Sequence, residues 1–283
     1  MSWRNMPPEE IEREFNPRVA SRNVDERLAA YTAASAETRA RLDCTLDVRY
    51  GPGEKETLDI FPVRAPDAPV HLFIHGGYWR AMDKSDYSFI ADVFQPAGAT
   101  TVIINYDLCP AVTLETIVAQ TMRAIAWTWR NVAGHGGDPD RLYVSGNSAG
   151  GHLTAMALAH DWTAEGLPAD IIKGAIPVTG VFDCEPVPDT TVNEQVRLDR
   201  ETARRLSPLR NPPRRAVPVL VAVGGAEPPL WIRMSKDYAT LCREHGLACE
   251  YMELPGHDHF DASRAVGDAE SPLARAMLRM MGL

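Results

Sequence analysis

Gly146-Asn147-Ser148-Ala149-Gly150-Gly151-His152-Leu153 carries a G-x-S-x-G pentad at the meeting point of two periodicities. Before it, Leu142-Tyr143-Val144 is a short apolar run; after it, Leu153, Met156 and Ala157 recur at helical spacing. The stretch therefore reads as strand, sharp turn and helix, with the serine at the turn. Glycines suit that turn because a Cβ there would meet neighbouring backbone, while the serine holds a strained conformation that lifts its hydroxyl above the strand ends. The helix that starts here aims its positive end at the same point, and the Ala149 amide can face a developing oxyanion.

Outward from this turn, strand and helix signals alternate. Continuous apolar runs at 70–74, 101–104, 142–144, 175–178, 219–223 and 250–254 lack the in-out alternation of a half-exposed strand. Such runs suit strands covered on both faces of a parallel sheet. Between them, Tyr87, Ile90, Ala91 and Phe94 fall at i, i+3, i+4 and i+7, and Leu230, Met234, Tyr238 and Leu241 mark another amphipathic helix. Upstream, alternating segments at 45–50 and 57–61 flank Gly51-Pro52-Gly53 and predict a strand pair. The expected fold class is α/β, with about eight mostly parallel strands in one sheet and helices on both faces. Residues 1–42 read as an N-terminal helical arm, residues 43–283 as the main domain, and the Pro-rich, charged stretch near 186–215 as a small cap over the site.

Composition narrows the function classes. The 283 residues carry 29 basic and 38 acidic side chains, a net charge of −9, which argues against nucleic acid or an anionic membrane as partner. The five cysteines form no C-x-x-C pair and suggest reduced thiols in a cytosolic protein. No secretory signal pattern opens the chain, and the apolar stretch 216–223 is broken by Pro218, far short of the roughly 20 residues of a membrane span. A cytoplasmic protein is expected.

In a parallel sheet, chemistry belongs in the loops beyond the strand carboxyl ends. After the third predicted strand, His75-Gly76-Gly77-Tyr78-Trp79 can turn backbone N–H groups toward a substrate carbonyl, so Gly76, Gly77 and Ala149 are the candidate oxyanion donors. A nucleophilic serine needs a base and the base an orienting carboxylate, following Ser148 in the order acid, then histidine. Glu227 after the seventh strand is the candidate acid, with Asp183 after the sixth as the alternative, and Pro255-Gly256-His257-Asp258-His259-Phe260-Asp261 offers two histidines. His257-x-His259-x-Asp261 also has the look of a metal-ligand run, the basis of a remote metal-dependent reading. Tyr78, Trp79, Phe182 and Trp231 are expected to line the substrate pocket, and Arg80 or Lys84 could pair with a substrate carboxylate.

The His75 to Trp79 loop, Asn105-Tyr106-Asp107-Leu108-Cys109-Pro110, the Ser148 elbow and His259-Phe260-Asp261 together resemble the α/β-hydrolase fold, specifically the arylformamidase (kynurenine formamidase)-like and hormone-sensitive-lipase-like esterase group. The likeness runs from about Thr45 to the C-terminus and is weaker in the arm. It implies His259 rather than His257 as the base, an acyl hydrolase without metal or organic cofactor, and a small-molecule ester or amide as substrate. Hydrolysis of carboxylic esters is the first expectation and of N-formyl aryl amines the alternative; a homodimer is compatible with either. The sequence departs from the animal formamidases at Asn147, where they commonly carry histidine, and at Glu227, where they carry aspartate.

Overall fold

The computed structural model describes residues 3–65 and 67–283, so Met1 and Ser2 of the expected arm lie outside the described residues. Eight strands form one sheet in the order β1-β2-β4-β3-β5-β6-β7-β8. They are β1 (Thr45–Arg49), β2 (Thr57–Phe61), β3 (Ala68–Ile74), β4 (Thr100–Ile104), β5 (Gly137–Asn147), β6 (Gly174–Val178), β7 (Val219–Gly224) and β8 (Cys249–Leu254). β1 and β2 pair antiparallel, β2 lies antiparallel to β4, and β3 through β8 are parallel to their neighbours.

The continuous apolar runs follow from this layering. In β3, Val70, Leu72 and Ile74 face one core while Phe73 faces the other; in β7, Val219, Val221 and Val223 face the first and Leu220 and Ala222 the second. Both faces must be apolar because helices cover both. The helices Leu114–Asn131, Ala149–Ala159 and Pro229–Glu244 pack on the first face, and His259–Arg264 and Pro272–Met281 on the second. Burying one such aliphatic or aromatic side chain contributes about 1.5–3 kcal/mol over leaving it in water. His71 is the polar exception in β3. It is fully buried, its Nε2 lies 2.6 Å from Ser145 Oγ, and its ring packs tilted against Phe94 with centroids 3.8 Å apart.

The arm consists of α1 (Pro8–Phe15), α2 (Pro17–Ala20) and α3 (Val24–Arg41). Ile11 and Phe15 of α1 bury into the first core and Tyr31 of α3 into the second, so the arm straddles the carboxyl-end edge instead of hanging free. The 186–215 stretch folds into short helices and leans on α1, where Thr191 donates its amide (2.8 Å) and hydroxyl (2.6 Å) to the Glu12 carboxylate. No helix among the described residues is long and apolar enough to cross a membrane.

Candidate active site

Ser148 sits between β5 and the helix Ala149–Ala159 at φ 55°, ψ −118°. That conformation is costly for a residue with a Cβ, and the surroundings enforce it. Its amide donates to the Val178 carbonyl at 2.9 Å and its carbonyl accepts from the His152 amide at 3.0 Å. The flanking glycines are obligatory for a steric reason: a Cβ on Gly146 would stand 2.4 Å from the Gly150 carbonyl oxygen, and one on Gly150 would stand 1.9 Å from that of Ile74.

Glu227 occupies the turn after β7, fully enclosed at its side chain. Its Oε2 accepts from His259 Nδ1 at 2.7 Å, and its Oε1 accepts from the Gly224 amide at 3.0 Å and the Thr179 hydroxyl at 2.5 Å. His259 opens the helix His259–Arg264, whose N-terminus is capped by Asp258 accepting from the Phe260 and Asp261 amides at 3.0 Å each. The ring's hydrogen bonds, to Glu227 and to Thr179 Oγ1 at 2.9 Å, are both on Nδ1, so among the described residues Nε2 is unengaged. Thr179, which sequence reasoning missed, thus touches both carboxylate and imidazole. It sits at φ 45° just past β6, a position that the search for chemistry beyond strand ends could have flagged.

The other candidates separate from this pair. Asp183 accepts from the Glu185 amide at 3.0 Å, and its carboxyl is pushed up by burial without contacting His259. His257 is half-exposed, with Nδ1 against the Pro255 carbonyl at 3.1 Å, and Asp261 faces Arg27 at 3.4 Å. The run behind the remote metal-dependent reading therefore diverges, and among the described residues no group of three or more His, Cys, Asp or Glu side chains is placed to hold a metal ion.

The loop after β3 is pinned by His75, which lies 2.7 Å from the Gly76 carbonyl and 2.9 Å from Asn105 Oδ1 and stacks on Tyr106 at 4.2 Å. Gly77 adopts φ 111°, where a Cβ would lie 2.0 Å from the Ala81 carbonyl oxygen. Tyr78, Trp79 and Met82 also have positive φ. Among the described residues the amides of Gly77, Tyr78 and Ala149 donate to no protein group. Gly76, whose amide likewise donates to no protein group among the described residues, does not border the cavity.

A cavity of about 380 Å³ joins Ser148, His259, Gly77 and Tyr78 to the arm residues Asn16, Arg18, Leu28 and Tyr31. Three expected lining residues are not on it. Trp79 is fully buried and packs edge-on to His152 at 4.9 Å; Phe182 is fully buried and stacks on Tyr238 at 4.3 Å. Trp231 is buried behind His259, edge-on at 5.0 Å, and donates its Nε1–H to the Thr179 carbonyl at 3.1 Å. Large aromatic side chains near a strand end gain more from closing the core than from facing a wet pocket. Lys84 is likewise structural, its Nζ 2.7 Å from both Asp47 and Asp59, whereas Arg80 does border the cavity. No residue of 186–215 borders it either; the arm forms that wall.

Comparison with known proteins agrees with this architecture. A family model of the α/β hydrolase fold matches residues 71–261. Kynurenine formamidase from Salmo salar is 31% identical over 299 residues, spanning 99% of this chain and 98% of that protein. Esterase LipQ from Mycobacterium tuberculosis is 31% identical over 248 residues, 78% of this chain and 58% of that protein. A crystal structure from Silicibacter sp. TM1040 superposes with a TM-score of 0.83 at 26% identity, covering 97% of this chain and 99% of that one. By its fold, its strand-turn-helix elbow and these likenesses over most of its length, the chain belongs to the α/β-hydrolase family, in the group of hydrolases that includes kynurenine formamidases and esterases.

Proposed function

We propose that the protein cleaves carboxylic esters through an acyl-enzyme, with Ser148 as nucleophile, His259 as proton carrier and Glu227 as the group that orients the imidazole. The observation carrying this reading is the 2.7 Å contact between Glu227 Oε2 and His259 Nδ1. A proton held on Nδ1 by the carboxylate leaves Nε2 with the lone pair that a serine hydroxyl needs. Ser148 and His259 border one cavity, and in substrate-free sites the nucleophile-base contact commonly tightens only around bound substrate.

Ser148 Oγ attacks the carbonyl carbon, its proton passes to His259 Nε2, and the carbonyl oxygen takes the negative charge. The amides of Gly77, Tyr78 and Ala149 are the donors for that oxyanion, each worth about 3 kcal/mol in the transition state. Collapse of the adduct breaks the C–O bond while the imidazolium returns its proton to the departing alcohol. Water, deprotonated by the same imidazole, then attacks the acyl-serine and releases the acid.

A second reading, hydrolysis of N-formyl aryl amines such as N-formylkynurenine, is supported by the likeness to the Salmo salar protein over the whole chain. The same steps would expel an arylamine and release formate. Assays on p-nitrophenyl acetate and N-formylkynurenine separate the readings. Ester turnover that disappears in Ser148→Ala supports the first; turnover of the formamide alone moves the assignment to the second. Full ester turnover by Ser148→Ala would remove the serine from the mechanism.

A further inference from the structure

His259 is held from two directions. Glu227 and Thr179, beyond the ends of β7 and β6, engage its Nδ1, while Arg27 and Tyr31 of α3 grip its neighbours through the Asp258 carboxylate and the Phe260 carbonyl. None of these contacts reaches the elbow that carries Ser148. Among the described residues, one hydrogen bond joins the residues of that elbow to the helix that His259 opens: Asn147 Nδ2 donates to Ser263 Oγ at 2.9 Å, across 116 positions of sequence.

Asn147 ends β5, and Ser263 lies one turn along the helix His259–Arg264. The Ser263 hydroxyl donates in turn to the His259 carbonyl at 2.9 Å, so its oxygen is left to accept, and the Asn147 side must present its amide nitrogen. Two hydrogen bonds thus run from the residue before the nucleophile to the backbone of the base. Asn147 is 3% and Ser263 2% exposed, so water competes little for either bond. The other end of the amide, Asn147 Oδ1, is buried without a partner. For packing alone a half-satisfied amide is a poor choice, because an apolar side chain of similar size avoids desolvating that oxygen. What the amide supplies at this position is its N–H bond to Ser263.

We propose that Asn147 and Ser263 form a strut that sets the separation of Ser148 Oγ and His259 Nε2, and that both are positioning residues for the proton transfer between them. The proposal rests on the reading of Ser148 as nucleophile and His259 as base. Both border one cavity, and the hydrogen bonds of the His259 side chain are all on Nδ1, so the two groups must close on each other for the proton to pass. A small misplacement of either is felt in the chemical step and hardly in substrate binding. Glu227 and Thr179 fix how the imidazole is turned; the strut fixes how far its helix stands from the elbow.

A double-mutant cycle tests it. Asn147→Ala and Ser263→Ala each cut the strut, and each should lower kcat for p-nitrophenyl acetate about five- to tenfold with KM little changed, as the loss of one buried hydrogen bond implies. The double variant should lose no more than the slower single one, because both substitutions break the same connection, whereas independent roles would multiply the losses. Ser263→Thr keeps the hydroxyl and should recover most of the rate. Thermal melting shows which variants fold; if Asn147→Ala does not, the contrast of Ala with Thr at position 263 decides alone. An undiminished kcat in either single variant, multiplied losses in the double one, or a Thr variant as slow as the Ala variant overturns the strut. The rate of fluorophosphonate labelling at Ser148 reads the same geometry without an ester. A natural protein that turns over no ester yet is labelled at Ser148, more slowly in the Ala variants, upholds the strut and removes the ester reading alone. Labelling and turnover undiminished in both Ala variants overturn the strut and leave the hydrolase reading standing, and a natural protein that is neither labelled nor active overturns both.

Discussion

Thr179 is a β-branched residue at φ 45°, fully buried, in a region of backbone space that costs such side chains about 1–3 kcal/mol. The strain is held from three directions: its amide donates to the Ala222 carbonyl at 2.7 Å, its carbonyl accepts from Trp231, and its hydroxyl bridges Glu227 and His259. The bridge fixes both Glu227 and His259, so in the proposed mechanism Thr179 is a positioning residue. Thr179→Val keeps the shape and removes the hydroxyl, and kcat should fall about tenfold with KM little changed, as the loss of a hydrogen bond to a charged group implies. Thr179→Ser should recover most of the loss; steady-state kinetics of the two variants decide, and a Val variant as fast as the natural protein would contradict the role. At this scale strand and turn marked the serine, while the order of residues left Glu227 beside Asp183 as acid, and only the family resemblance preferred His259 to His257. Thr179 was not marked, since a threonine past a strand has no distinguishing pattern until its φ and its partners are known.

The helices and loops that hold these residues owe their positions to contacts far apart in sequence. Arg27 on α3 reaches both oxygens of Asp258 at 2.6 Å across 231 positions, and Asp258 caps the helix that His259 opens. Tyr31, one turn further on, donates to the Phe260 carbonyl. The arm therefore clamps the loop that presents the imidazole. Arg27→Ala should lower kcat several-fold while costing only ~1 kcal/mol of stability, since the ion pair is partly exposed; kinetics and thermal melting of that variant measure both. A loss of stability with no loss of kcat would make the clamp merely structural. The strands were readable because burial on both faces leaves an unbroken apolar run. What the arm and the 186–215 stretch cover was not, because composition says that a segment is helical or loop-like without saying which opening it closes. The same limit explains Trp79, Phe182 and Trp231, whose aromatic character suits a core as well as a pocket.

For the molecule as a whole, three histidines with no exposed surface, His71, His75 and His152, contribute to its response to acid. Burial pushes His71 down to about 3 and His152 down to about 4, and lowers His75 as well. Each is neutral when folded and takes up a proton readily only when unfolded, so the unfolded state binds more protons below the ordinary imidazole value. Stability is then full above about pH 6.5 and falls as pH drops toward the folded-state values, by about 1.4 kcal/mol per pH unit for each such histidine. Melting temperatures measured from pH 7.5 to pH 5 should decline steadily; a flat profile would contradict the neutral buried rings. The proposed hydrolysis turns on one serine, raised on a strained elbow in the cavity that a carboxylate-held imidazole also borders, as the nucleophile. A fluorophosphonate probe followed by peptide mass spectrometry tests this most directly: the adduct should appear on Ser148 and vanish in Ser148→Ala, whereas labelling that persists in that variant, or an adduct on another residue, would contradict it.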